Sequence, residues 1–380
     1  MSDIVNTEIH PYTIEIPDGD LEDLRRRLEH ARLPSVLPDA GWQDGMDPTA
    51  LEDLIDRWLH HYDWRAVETR LNRFPQIVTT IDGQDIHAVV VRSERADAIP
   101  LMLIHGWPST FAEFVKVIDE LACPQDPDAP AFHVVAPSLP GYGFSGTTNA
   151  RGWNSIRVAS AFAELMRRLG FTQYVPHGAD IGFHVASDMA IADPDNVAAI
   201  HLNLGGVSQA RKHFQEPTRT PEEERAKERS TQYSTDKSGY AFLQSTRPQT
   251  LAYLVTDSPV AQLAWVGEKF HEWTDPDNPV SADDVLTAAS IYWLTRTAGS
   301  AARFYQDGYG AKMPPRGFVT TPTGVSVWPH DIVPALRHWT EDDYNVTYWA
   351  DMPAGGHFAA LEVPDLLIGT LRGFARSRLA

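Results

Sequence analysis

Short apolar runs recur between helical stretches from Asp85 onward, and this rhythm narrows the fold more than any other property of the chain. The runs are Ile86 to Val91, Pro100 to Ile104, His133 to Ala136, Tyr174 to Pro176 and Ala198 to Leu204. Strands that alternate with helices imply a mostly parallel sheet covered on both faces, with the ligand site at the carboxyl ends of the strands. After Leu204 the rhythm stops. A charged run, Glu216 to Asp236, and aromatic-rich helical segments up to Tyr309 intervene before strand signals resume at Gly324 to Val327 and Val346 to Trp349. The pattern predicts a helical insertion lying over the sheet as a cap, with Pro221 to Arg229 as a solvated helix face. Ahead of Asp85, Leu21 to Arg32 and Pro48 to Leu71 have helical periodicity, Asp18 or Asp20 is placed to cap the first, and no alternating strand of length is visible. The expected organisation is α/β: an N-terminal helical extension at residues 1–84, a sheet core at 85–207, a helical cap at 208–314 and the rest of the core at 315–380.

Composition excludes several classes of function. Over 380 residues, 43% hydrophobic and 22% charged side chains describe a soluble globular protein able to bury a large core. A formal net charge of −19 repels phosphate backbones and anionic lipid surfaces, so nucleic acid is not an expected partner. Cys123 is the only cysteine, which excludes an internal disulfide and any zinc site built on paired thiolates, and fits a reducing, cytoplasmic setting. Met1 to Asp20 has neither a basic start nor an apolar run, and no stretch reaches about 18 uninterrupted apolar residues, so neither a signal peptide nor a membrane anchor is expected. No phosphate-binding loop is present, and the chain is expected to work without metal or cofactor.

Chemistry enters at Gly178-Ala179-Asp180-Ile181-Gly182. Two glycines flanking an acid are common in plain turns, so the pentapeptide alone says little. Its context says more: the apolar run Tyr174-Val175-Pro176 precedes it and a helical pattern, Phe183 to Asp193, follows, which is the arrangement of a sharp strand-to-helix elbow that exposes a nucleophile. The apex residue is Asp. A carboxylate suits displacement at saturated carbon, where it forms an alkyl ester that must then be hydrolysed. Hydrolysis needs a base to activate water and an acid to orient that base. His357, in Gly355-Gly356-His357-Phe358 just beyond the last strand, is the candidate base. Asp331, in Trp328-Pro329-His330-Asp331 and 26 residues upstream, is the candidate acid, with capping of a short helix as its alternative role. Asp342 and Asp343 lie farther from the strand end. The amides of Trp107, in His105-Gly106-Trp107-Pro108, and of Ile181 are the candidate oxyanion donors. Gly141-Tyr142-Gly143-Phe144-Ser145 either borders the site or is an ordinary turn.

Four motifs in this order, His105 to Pro108, Gly141 to Ser145, Gly178 to Gly182 and Gly355 to Glu362, resemble those of the microsomal-type epoxide hydrolases of the α/β-hydrolase fold, over nearly the whole chain. Pro11-Tyr12 and Arg32-Leu33-Pro34 look like that family's N-terminal region. The resemblance implies two cap tyrosines that hold the epoxide oxygen and donate a proton to the alkoxide. Ser238-Gly239-Tyr240 and Arg303-Phe304-Tyr305 match those segments, so Tyr240 and Tyr305 join the candidates. A phenol with a pKa near ~10 can protonate an alkoxide without being ionised at neutral pH. The chain departs from the family pattern at Ile181, often Trp, at Ala179, often Gly, and at Asp331, often Glu.

These expectations describe an epoxide hydrolase that turns a small hydrophobic epoxide and water into a vicinal diol, with homo-oligomerisation left open. A haloalkane or haloacid dehalogenase shares the Asp nucleophile but must stabilise a departing halide. A non-catalytic α/β-hydrolase scaffold is the remaining alternative, and such scaffolds usually lack a triad member, whereas Asp180, Asp331 and His357 are all present.

Overall fold

The computed structural model describes residues 8–203, 205–308, 314 and 316–378. Asp3, in the acidic N-terminal stretch, and Leu204 and Tyr309, at the ends of two expected segments, lie outside the described residues. Among the described residues the strands are β1 (His10–Tyr12), β2 (Gln76–Ile81), β3 (Gln84–Val91), β4 (Ile99–Ile104), β5 (Phe132–Pro137), β6 (Val175–Gly178), β7 (Ile200–Asn203), β8 (Val319–Val327) and β9 (Tyr344–Asp351). They form one nine-stranded sheet in the order β1-β2-β3-β5-β4-β6-β7-β8-β9. The joins β1-β2, β2-β3 and β3-β5 are antiparallel, and all joins from β5 through β9 are parallel.

The central strands show why a parallel sheet forms here. Leu101 to Ile104 and Val134 to Ala136 are buried on both faces, so continuous apolar runs rather than alternation are required. The chain leaves β4 for β5 on one side and returns to β6 on the other. This reversal of strand order opens a crevice beyond the carboxyl ends of β4 and β6, where ligands bind in such sheets.

The N-terminal segment is not wholly helical. Ile81 pairs with Gln84 across Asp82-Gly83, both at positive φ, so β2 and β3 form a two-residue hairpin and the sheet begins before Asp85. The Asp-Gly signal was in the sequence, but Gln76–Ile81 carries two adjacent threonines and lacks a clean alternation. The expected helix Pro48 to Leu71 is two helices, Pro48–His60 and Trp64–Asn72, the second capped by Asp63. Asp18 and Asp20 lie inside the helix Asp18–Glu29, whose N-cap position is Pro17, so neither caps it.

Between β7 and β8 the chain builds the cap from helices that include Pro221–Gln232, Gly239–Thr246, Pro259–Glu272, Ala282–Thr295 and Ala298–Gly308. The first of these is not simply a solvated face, because Glu223, Ala226, Lys227 and Ser230 are buried on it. Helices of the N-terminal segment grip the cap: Arg57 holds Asp283 through two bonds of 2.8 and 2.9 Å, and Tyr62 Oη lies 3.1 Å from Thr287 Oγ1. Among the described residues no helix is long and apolar enough to cross a membrane.

Candidate active site

Asp180 stands between β6 and the helix Ile181–Ala192 with φ +52° and ψ −120°, a strained backbone for a residue with a Cβ. The strain is held by close packing that only glycine allows. A Cβ on Gly182 would lie 2.0 Å from the carbonyl oxygen of Ile104, and one on Gly106 would lie 2.4 Å from Asp180 Cβ and Oδ1. The elbow is thereby pressed against the end of β4, and the turn after β4 delivers its amide: Trp107 N–H donates to Asp180 Oδ1 at 2.9 Å. The Ile181 N–H also donates to this carboxylate. Burial by itself pushes the Asp180 carboxyl up, but the His357 ring and the two amides outweigh it and hold the group below the usual carboxylate range.

His357 Nδ1 donates to Asp331 Oδ1 at 2.7 Å, and Nε2 faces Asp180 Oδ2 at 3.5 Å, an ion-pair distance that is long for a hydrogen bond. Burial disfavours the imidazolium, yet the two carboxylates raise His357 well above its ordinary value, Asp331 contributing most. The three side chains are nearly enclosed, with 13% of Asp180, 9% of His357 and 5% of Asp331 exposed. Asp331 does not cap a helix. Its Oδ1 also accepts from the Ile332 amide, and the next helix starts only at Arg337. Asp342 and Asp343 point elsewhere, toward His213 and Lys212.

Two carboxylates, half-buried Glu362 and buried Asp275, interlock the histidine loop with the cap. Glu362 accepts from the amides of Gly356 at 2.8 Å, Phe358 at 2.7 Å and the cap residue Asp275 at 2.7 Å. Asp275 in return accepts from the Gly355 amide at 2.8 Å, and His357 N–H donates to the Trp273 carbonyl at 2.9 Å. Burial lifts Glu362 to about 7 against the pull of those amides. Arg229, on the cap helix Pro221–Gln232, donates to the Asp331 carbonyl at 2.6 Å and ties the acid loop down from the other side. Glu113, buried on the turn Phe111–Lys116 that follows Trp107, is pushed up to about 8 by burial and adds little second negative charge at neutral pH.

A cavity of about 420 Å³ opens over Asp180, His357 and Asp331, lined on the apolar side by Phe183, Val207, Ala241, Phe242 and Ile332 and on the polar side by Asn203, Ser208 and Arg211. Tyr240 reaches it from the cap, stacked on Trp107 with centroids 4.9 Å apart, and Tyr305 is fully buried with its ring 6.0 Å from Tyr240 and 6.1 Å from Trp107. All seven sequence candidates, Asp180, His357, Asp331, Tyr240, Tyr305, Trp107 and Ile181, therefore meet in one region. Gly141 to Ser145 serves instead as a buried turn under the cap: the Gly143 amide donates to Thr297, Tyr142 Oη to the Ala301 carbonyl, and Ser300 to the Gly141 carbonyl. Sequence reasoning missed Tyr233, Asp275, Arg229 and the part played by Glu362. Only Glu362 left a local trace, as a carboxylate five residues after the histidine of a Gly-Gly-His loop. Among the described residues no group of three or more His, Cys, Asp or Glu is arranged to hold a metal ion.

Residues 9–114 match the family described as epoxide hydrolase N terminus, and residues 99–218 match the alpha/beta hydrolase fold family. Epoxide hydrolase 1 of Sus scrofa is 32% identical over 400 residues, covering 96% of this chain and 88% of its own. A Stigmatella aurantiaca sequence provisionally named an epoxide hydrolase is 42% identical over 379 residues, covering 96% and 84%. Among solved structures, the Aspergillus niger epoxide hydrolase superposes with a TM-score of 0.86 at 33% identity, covering 98% of this chain and 97% of that one. With a sheet, an elbow and relatives that agree along nearly its whole length, the chain belongs to the microsomal-type epoxide hydrolases of the α/β-hydrolase fold.

Proposed function

We propose that this enzyme opens a hydrophobic epoxide through a covalent ester on Asp180. The observation that carries the reading is a buried carboxylate with one oxygen held by an amide at 2.9 Å and the other facing a His–Asp pair. Asp180 Oδ2 attacks a ring carbon, the ring C–O bond breaks, and its electron pair goes to the oxirane oxygen, which takes a proton from Tyr240 or Tyr305. Oδ1 stays against the Trp107 and Ile181 amides and becomes the ester carbonyl. Alkylation also removes the negative charge of Asp180, one of the groups that hold His357 protonated. The imidazolium then loses its proton more readily, and neutral His357, still oriented by Asp331, takes a proton from water that attacks the ester carbon. The oxyanion forms where the two amides already point, which spares reorganisation in the transition state. Collapse breaks the Cγ–Oδ2 bond, the departing oxygen takes the proton held by His357, and the diol leaves with Oδ2 while the water oxygen stays in Asp180.

A single turnover of excess enzyme with styrene oxide in heavy-oxygen water tests this order of events. Heavy oxygen is expected in the peptide bearing Asp180 and not in the diol. Diol carrying the label with an unlabelled Asp180 would overturn the covalent route. Halide release from bromoalkanes without diol formation from epoxides would favour the dehalogenase instead.

A further inference from the structure

The α-helix Pro221–Gln232 passes into a π-helical turn, Tyr233–Lys237, before the next helix begins at Gly239. Such turns are rare and concentrate at functional sites, where the extra residue redirects a side chain. Tyr233, the first residue of this turn, lines the cavity over Asp180 beside Tyr240. Seven residues apart along a regular helix would leave the two Cα atoms about 10 Å apart along the axis. Across that separation the two long side chains converge, and their phenol oxygens lie 2.8 Å apart.

Two hydroxyls at that distance share one proton between them, so one is donor and the other acceptor. If Tyr240 donated to Tyr233, it would have no proton to offer an oxirane. With substrate in the cavity, the arrangement that serves both contacts has Tyr233 donating to Tyr240. We propose that Tyr233 is a positioning residue of ring opening: its O–H bonds to Tyr240 Oη, turns the Tyr240 proton toward the oxirane oxygen and shares the charge left when that proton departs. This inference rests on the assignment of Tyr240 as an acid. In the step, the C–O pair goes to the oxirane oxygen, which takes the Tyr240 proton, and the resulting phenolate regains a proton from solvent, matching the one His357 releases.

The surroundings suit a neutral donor beside a transient phenolate. Burial pushes Tyr233 up to about 12, so it keeps its proton at neutral pH, while Asp180, Arg211 and Glu272 are the charges that act on it. Lys269, 3% exposed, holds its ammonium 5.1 Å from the Tyr240 ring centroid and is paired with Glu268 and Glu272.

Rapid-quench single turnovers with styrene oxide, scored by mass as ester formed and ester lost, test the assignment on Tyr233→Phe, Tyr240→Phe and the double variant. Removing one such hydrogen bond is expected to slow ester formation about tenfold and leave ester loss unchanged, which also reports that the fold is intact. The alkaline limb of the ester-formation profile should move to higher pH in Tyr233→Phe, a shift that a packing role would not produce. In the Tyr240→Phe background, the second substitution should add nothing. Wild-type ester formation in Tyr233→Phe, an equal slowing of both steps, or the same loss with and without Tyr240 would overturn the inference alone. Wild-type ester formation in Tyr240→Phe would instead remove the acid role of Tyr240, and Tyr233 would fall with it.

Discussion

Asp180 keeps its charge in a buried site because its partners outweigh desolvation: the imidazolium of His357 lies across from one oxygen, and two amides are aimed at the carboxylate. The same pairing sets the pH behaviour of the two chemical steps. On the proposed route ester formation needs ionised Asp180, whose lowered pKa carries that form below the usual carboxylate range, so this step should persist to lower pH than an ordinary carboxylate would allow. Ester hydrolysis on that route needs neutral His357, which the charge of Asp331 resists. Asp331→Asn removes that charge, so the acid limb of the hydrolysis step should move to lower pH. The plateau rate should fall by about a hundredfold or more, because the ring loses the acceptor that orients it. Rapid-quench profiles between pH 5 and 9 check both, and an unmoved acid limb would contradict the assignment of Asp331. The Asp–His–Asp set was legible from residue type and chain order. Its polarity was not, because burial and a 2.7 Å contact exist only once three loops meet.

At the scale of elements, the histidine loop is pinned from both of its ends. Glu362 gathers three amides, and Asp275 returns a fourth contact from the cap, so the loop and the cap set one position for His357. Glu362→Gln replaces one accepting oxygen with an N–H₂ that faces backbone donors, leaving buried amides without an acceptor. If His357 is the base and Asp180 the nucleophile, as proposed, ester hydrolysis should slow by about ten- to a hundredfold while ester formation changes far less. Quenched samples of the variant should therefore hold more enzyme-bound ester than wild type. Equal slowing of both steps would show that Glu362 acts on the whole site. Strands with continuous apolar runs, such as β4 and β5, were readable from the sequence; β2, with Thr79 and Thr80 in its middle, was hidden by polar residues that find partners in the fold.

The whole molecule carries a set of buried histidines that respond to acid together. Burial lowers His87 to about 3 and His105, His177 and His184 to about 4, and it holds His201 well below 6.5. These rings are neutral in the folded state and gain protons on unfolding below pH 6.5, so the unfolded chain binds more protons and stability falls as pH drops from 6.5 toward 4. His357 works in the other direction, since its raised pKa contributes fully below 6.5 and is lost as pH rises through the folded value. Glu113 and Glu362, whose carboxyls burial lifts to about 8 and about 7, act in the same sense as His357, so five groups oppose three and the histidines still set the sign. The thermal midpoint should fall by about 5 °C between pH 7.5 and 5, and a flat or rising midpoint over that range would contradict the neutral assignment.

Sequence alone determined which groups are present and in what order they are delivered: an Asp between glycines after one strand, an acid after another and a histidine after the last. Local backbone demands write themselves into neighbouring residues, as the close approach of Ile104 to Gly182 does. Tertiary structure alone decided how the cap meets that edge. The exchange between Asp275 and Glu362 and the hold of Arg57 on Asp283 join residues distant in the chain, and the Tyr233–Tyr240 pair spans a change from π to α geometry. Such contacts depend on how helices pack over the sheet, and packing of that kind is set by the shapes of many side chains at once rather than by any short stretch of sequence.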